Sequence, residues 1–165
     1  MTTSKCAHLD NIKFLTIFGE DRKEFLQGII TNDIYKCEKK VIYSCLLSPQ
    51  GKFLSDFFII PKSDYFIIEI DELFIDDFIS KLNIYKLRSK VKIEKEKNLK
   101  VINVLKNDLS ETGKLVSKEE FIQYVDPRSK LLGERIIATK EIIDNSIKNN
   151  DLIVSNKDEY YKIMI

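Results

Sequence analysis

Tryptophan is absent from this 165-residue chain, histidine occurs once, proline three times and glycine five times. Each scarcity removes a class of chemistry. With His8 as the only imidazole, both a histidine-based metal site and a Ser–His–Asp site would depend on one residue near a chain start that reads as mobile. The cysteines Cys6, Cys37 and Cys45 are too few and too dispersed for a disulfide framework, and they read as free thiols rather than ligands. Lysine plus arginine number 27 against 26 aspartate plus glutamate, a net charge of +1, so no global field gathers nucleic acid or a membrane surface. No apolar run approaches the length of a membrane span, and the chain start lacks a signal-peptide core. A P-loop, G-x-G-x-x-G, C-x-x-C and H-E-x-x-H are all missing. These absences lead to the expectation of a cytoplasmic protein, or one of an organelle matrix where a presequence has been lost. Neither a membrane nor a nucleic-acid partner is expected.

What is present describes an α+β chain. Apolar residues make up 44% and charged residues 32%, the balance of a folded protein, and the length suits one domain with a sizeable core. IKFLTIF (12–18), VIYSCLLS (41–48), FLSDFFII (53–60) and YFIIEI (65–70) have the β-branched and aromatic content of strands. PQGK joins the second and third of these through Gly51, which can take a positive φ. EDRKEFLQGII (20–30) places Phe25, Leu26, Ile29 and Ile30 on one helical face. Behind a capping Asp71, residues 72–84 carry an apolar stripe of Phe74, Ile75, Phe78, Ile79 and Leu82. Further strands are expected at 89–94, 99–105, 121–125 and 134–139, with a loop over 106–118 and a short helix near 140–148. A last helix starts at Lys157, and its Tyr160, Tyr161, Ile163, Met164 and Ile165 leave apolar surface for a partner. Runs of strands broken by single helices predict a mainly antiparallel sheet, with the helices at 20–30 and 72–84 packed on one sheet face.

The candidate functional residues are polar side chains in apolar company. Asp56 lies among Phe53, Leu54, Phe57 and Phe58, and is either an outward-facing strand residue or a buried carboxylate that needs partners. Gln27, Thr31 and Asp33 read as local caps. Arg128 and Arg135 flank DPRSKLLGER: one can pair with Asp126, and a fork left open beside a cleft could bind a carboxylate. YKLRSKVKI (85–93) puts Lys86, Arg88, Lys90 and Lys92 at alternate positions, which on a strand makes one basic face. Upstream, Glu69, Asp71, Glu72, Asp76 and Asp77 read as an acidic patch able to neutralise part of it. Three readings of the row stand: an anion site, an edge strand kept from aggregating by lysine, and a nucleic-acid contact. The last is disfavoured by the near-zero net charge and the lack of interleaved aromatics.

FLQGIITNDI (25–34), LLSPQGKFLSDFFII (46–60), YKLRSKVKI (85–93) and YVDPRSKLLGERII (124–137) stand in the order and approximate spacing of the YgfZ-type folate-binding proteins. Over residues 12–137 the chain resembles that group, which with its mitochondrial iron–sulfur assembly relatives belongs to the glycine-cleavage T-protein (aminomethyltransferase) superfamily. The pairing of Y-K-L-R-x-K-V with D-P-R-x(4)-L-G-x-R points to this branch rather than to a true T-protein. The resemblance implies a T-protein-like fold, tetrahydrofolate as ligand, and an accessory role in assembling or repairing iron–sulfur enzymes without turnover of its own. Iron–sulfur assembly proteins or client enzymes are the implied partners, and folate-dependent aminomethyl transfer is the alternative activity. T-protein reads G-G-x-x-D-D after its second strand, and the matching stretch from Gly51 to Asp56 has Ser55 in place of one acid. That leaves Asp56 as a pterin contact, with Ser55, Phe58, Arg128 and Arg135 as further folate-binding candidates. Lys86, Arg88, Lys90 and Lys92 become candidates for the polyanionic polyglutamate tail of cellular folates. The family's K-G-C-Y-x-G-Q-E motif has no counterpart among residues 1–165, so none of the three cysteines is assigned to it and the chain reads as the N-terminal portion of such a domain.

Overall fold

The computed structural model describes residues 4–106, 109–150 and 152–164. In chain order the elements are β1 (Lys5–His8), β2 (Ile12–Phe18), α1 (Arg22–Gln27), a 3-10 turn at Ile34–Glu38, β3 (Ile42–Leu47), β4 (Phe53–Pro61), β5 (Tyr65–Asp71), α2 (Ile75–Tyr85), β6 (Lys92–Glu96) and β7 (Leu99–Leu105). Then follow β8 (Leu115–Ser117), β9 (Phe121–Val125), a 3-10 turn at Lys130–Leu132, β10 (Glu134–Thr139), α3 (Lys140–Asn149), β11 (Ile153–Val154) and α4 (Lys157–Met164). They form two compact units, the first of Met1–Asp10 with Asn98–Ile165, the second of Asn11–Lys97.

The second unit is a five-stranded sheet in the order β3-β4-β5-β2-β6, antiparallel at every pairing. Strand alternation decides its faces. Leu15, Ile17, Phe57, Ile59, Ile68 and Ile70 share a core with Phe25 and Leu26 of α1 and with Ile75, Phe78 and Leu82 of α2, so both helices cover one sheet face, as their apolar stripes predict. The rings of Phe57 and Phe78 meet at 4.7 Å between centroids, and each such fully buried side chain contributes about 1.5–3 kcal/mol. Gly51 takes φ +79 in the turn between β3 and β4. The first helix is shorter than its periodicity suggests, because Ile30 leaves it to bridge Leu46. Of the polar residues that end it, Gln27 and Asp33 are local caps, with Ile34 N–H donating to Gln27 Oε1 at 2.8 Å and Tyr35 N–H to Asp33 Oδ1 at 3.0 Å, whereas Thr31 is no local cap: its Oγ1 accepts from Cys45 N–H of β3 at 2.9 Å.

The alternating stretch 85–93 is not one strand, which corrects the sequence expectation. Helix α2 runs to Tyr85, and the Lys86 N–H still reaches Leu82 O at 2.9 Å because buried Leu82 holds the last turn on the core. Leu87 then takes φ +38, Ser89 N–H turns back to Lys86 O at 2.6 Å, and strand pairing starts only at Lys92.

The first unit is a six-stranded sheet in the order β11-β1-β7-β10-β9-β8, antiparallel except for β1 with β11. Lys5–His8 is a paired strand where the sequence suggests a mobile segment: β1 pairs with β7 from Lys5 opposite Leu105 to His8 opposite Ile102, and Cys6 and Ala7 are buried. A four-residue strand carries too little periodicity to be seen without its partner. For the same reason β8 was hidden in the loop expected over 106–118, of which 107 and 108 lie outside the described residues. Strands β7, β9 and β10 match their expected bounds. Ile143 of α3 closes a core with Cys6, Ile102, Val104 and Ala138. Gly133 ends the second 3-10 turn with φ +81, where a Cβ would meet Val104 O at 2.3 Å. In α4, Tyr160 is buried rather than exposed, while the side chains of Ile163, Met164 and Ile165 lie outside the described residues. Among those described, no helix is long and apolar enough to cross a membrane.

Candidate functional site

The β3–β4 hairpin sets Cys45 opposite Asp56 and Tyr43 opposite Phe58, so these four side chains share the face turned away from the helices. The Tyr43 hydroxyl donates to Asp56 Oδ2 at 3.0 Å, and Cys45 Sγ lies 3.8 Å from the same hydroxyl. Phe58 meets Tyr43 edge-on, with centroids 5.8 Å apart and planes at 70°. Burial first, and then the charge of Asp56, pushes the Tyr43 phenol above its usual range. The phenol therefore stays protonated and remains a donor to the carboxylate. Asp56 is half-buried, and its Oδ1 takes no hydrogen bond among the described residues. One carboxylate oxygen is thus fixed and the other can accept an N–H donor, in a setting of reduced dielectric that strengthens such a bond.

Glu69 of β5 stands opposite Phe58 on the same face and is 2% exposed. It does not belong to the exposed acidic patch that the sequence suggests. The signal was its place inside YFIIEI, where alternation turns Phe66, Ile68 and Ile70 to the core and Glu69 to the other side. Ser55 is not brought together with Asp56: it pairs with Leu46 on the core face and is 2% exposed. Phe58 is 4% exposed and frames the site rather than offering a ring to stack on.

Arg128 and Arg135 lie in the first unit, apart in the chain from the hairpin. Arg128 grips Asp126 with Nε–H to Oδ1 at 3.0 Å and Nη2–H to Oδ2 at 2.7 Å, the pairing expected for one of the two arginines. Neither fork is left open. Both Nη2 groups donate to the hydroxyl of Tyr160, Arg128 at 2.9 Å and Arg135 at 2.6 Å, and Arg135 Nε stands 3.8 Å from Asp126 Oδ2. Burial pulls the Arg128 guanidinium down, but the hydrogen bond and charge of Asp126 outweigh it and hold the group above its usual value. Burial and Asp126 likewise push up the phenol of Tyr124. The cluster is a tie between the β9–β10 turn and α4, and Tyr160 had no local signal in the sequence.

The four cations of the basic row are divided among a helix cap, a turn and a strand. Lys90 is paired with Glu20 at 2.8 Å and Lys92 with Glu94 at 2.7 Å, whereas Lys86 and Arg88 have no ion pair among the described residues. Burial pushes the Cys37 thiol up to about 12 and raises that of Cys6. Among the described residues, no three His, Cys, Asp or Glu side chains gather as a metal site.

No protein-family model matches the chain. In sequence it is similar to the iron-sulfur cluster assembly factor IBA57 homolog, mitochondrial, of Pyricularia oryzae, at 29% identity over 140 residues covering 78% of this chain and 34% of that protein. The protein of the same description in Mycosarcoma maydis is 24% identical over 159 residues, 87% of this chain and 38% of its own. The chain spans roughly a third of the length of these curated relatives. In structure it is similar to the glycine cleavage system aminomethyltransferase T from Bartonella henselae, with a TM-score of 0.75 at 10% identity over 93% of this chain and 47% of that one. The mainly antiparallel α+β fold is therefore T-protein-like, and the sequence likeness is to iron–sulfur cluster assembly factor homologues. The cytoplasmic expectation is corrected: the relatives are named mitochondrial. Compartment is addressed by targeting segments, and the composition of a folded domain does not encode it.

Proposed function

We propose that this T-protein-like chain is the N-terminal portion of a mitochondrial accessory factor for iron–sulfur cluster assembly, and that it binds tetrahydrofolate on the hairpin face carrying Asp56. The observation that supports the role is likeness to iron–sulfur assembly factor homologues across 78% and 87% of the chain. Its partners are cluster-assembly proteins or client enzymes, with the cluster as cargo. The ligand fits the residues present. Asp56 Oδ1 is open to the amino and ring N–H groups of a pterin, Tyr43 fixes the carboxylate through Oδ2, and Phe58 holds Tyr43 from the side. Tetrahydrofolate, when bound, supplies the reduced nitrogen that carries one-carbon groups. The chain's own residues orient it, with the Tyr43 hydroxyl holding the Asp56 carboxylate in place. Lys86 and Arg88 are the part of the basic row left for a polyglutamate tail, and Arg128 and Arg135 act by holding the first unit together. Aminomethyl transfer is the weaker reading, because Ser55 occupies one acid position of the doublet and faces the core.

The test is a calorimetric titration of tetrahydrofolate into wild type and Asp56→Asn, with circular dichroism to show that both are folded. Losing one charged hydrogen bond of about 1.5–3 kcal/mol weakens binding roughly ten- to hundredfold. Equal affinities remove Asp56 from the site. Turnover in an aminomethyl-transfer assay would replace the accessory role with the enzymatic one.

A further inference from the structure

We draw no further inference here: the strongest candidate, the exposed turn of Lys86, Leu87 and Arg88 after α2, mixes these cations with the carboxylates of Glu20 and Asp21 that bind Lys90, and nothing in the structure shows what covers it.

Discussion

Replacing Asp126 by asparagine removes one negative charge from the most tightly bound polar cluster of the first unit. The aspartate is 0% exposed and Arg135 is 5% exposed, so water cannot take the place of the lost charge at Arg135. Breaking a buried pair from one side generally costs about 3–5 kcal/mol, because the surviving charge stays buried without its partner. Arg128 lowers that figure here. Its side chain is 19% exposed and can swing partly into solvent, while asparagine can still accept the Arg128 backbone N–H that Asp126 Oδ1 takes at 2.9 Å. The expected loss is therefore at the low end, about 3 kcal/mol, equivalent to a melting temperature roughly 6–12 °C lower for a chain of this length. Urea unfolding followed by circular dichroism reads it as a lower midpoint at unchanged slope. The double variant Asp126→Asn/Arg135→Met, which removes the stranded cation as well, should recover most of the loss. A cost below about 1 kcal/mol for Asp126→Asn alone would refute the reasoning, since it would mean that the cluster is already solvated.

Gly133→Ala should cost about 2–4 kcal/mol in urea unfolding, because the new Cβ meets the Val104 carbonyl at 2.3 Å while φ stays near +81; a loss within 0.5 kcal/mol would show that the turn can move. In the native protein at pH 8 a thiol reagent should label Cys45 alone, with Cys6 and Cys37 reacting only on unfolding, and rapid native labelling of Cys37 would contradict its burial. The Cys37 thiol is raised from 9.0 to about 12, so between these values the native state holds a proton that the unfolded chain has lost. Its contribution is complete below pH 9 and falls as pH rises toward 12, and Cys37→Ala should flatten that part of the stability profile. Leu87→Asn should raise stability by about 0.5–1 kcal/mol, because asparagine tolerates a left-handed backbone better and Leu87, 87% exposed at φ +38, has little packing to lose; a lower melting temperature would mean that Leu87 is held by contacts rather than strained.

Where a segment is long enough to show its period, its sequence determined its structure. IKFLTIF, FIQYV and ERIIAT are strands at the expected bounds, because seven or more dihedrals repeating one preference outweigh local exceptions. The apolar stripe expected over 72–84 forms a helix on the sheet, though it starts at Ile75 behind Phe74 rather than behind Asp71, which ends β5. Asp126 with Arg128 was legible for a related reason, being two residues apart. Tertiary structure decided the remainder. Residues 85–93 alternate as a strand would, yet the burial of Leu82 carries the helix through their first residue and the turn at Leu87 uses up the next. Strands β1 and β11 exist only through partners distant in the chain, and β8, three residues long, only through its hairpin partner β9. The candidate site shows the same division. An acid in FLSDFFII marked the position from sequence, but the hairpin register turned Ser55 to the core and put Tyr43 on Asp56. It also set buried Glu69 on the same face. A register is a choice among pairings whose local conformations are the same, and the burial of one sheet face against α1 and α2 makes that choice.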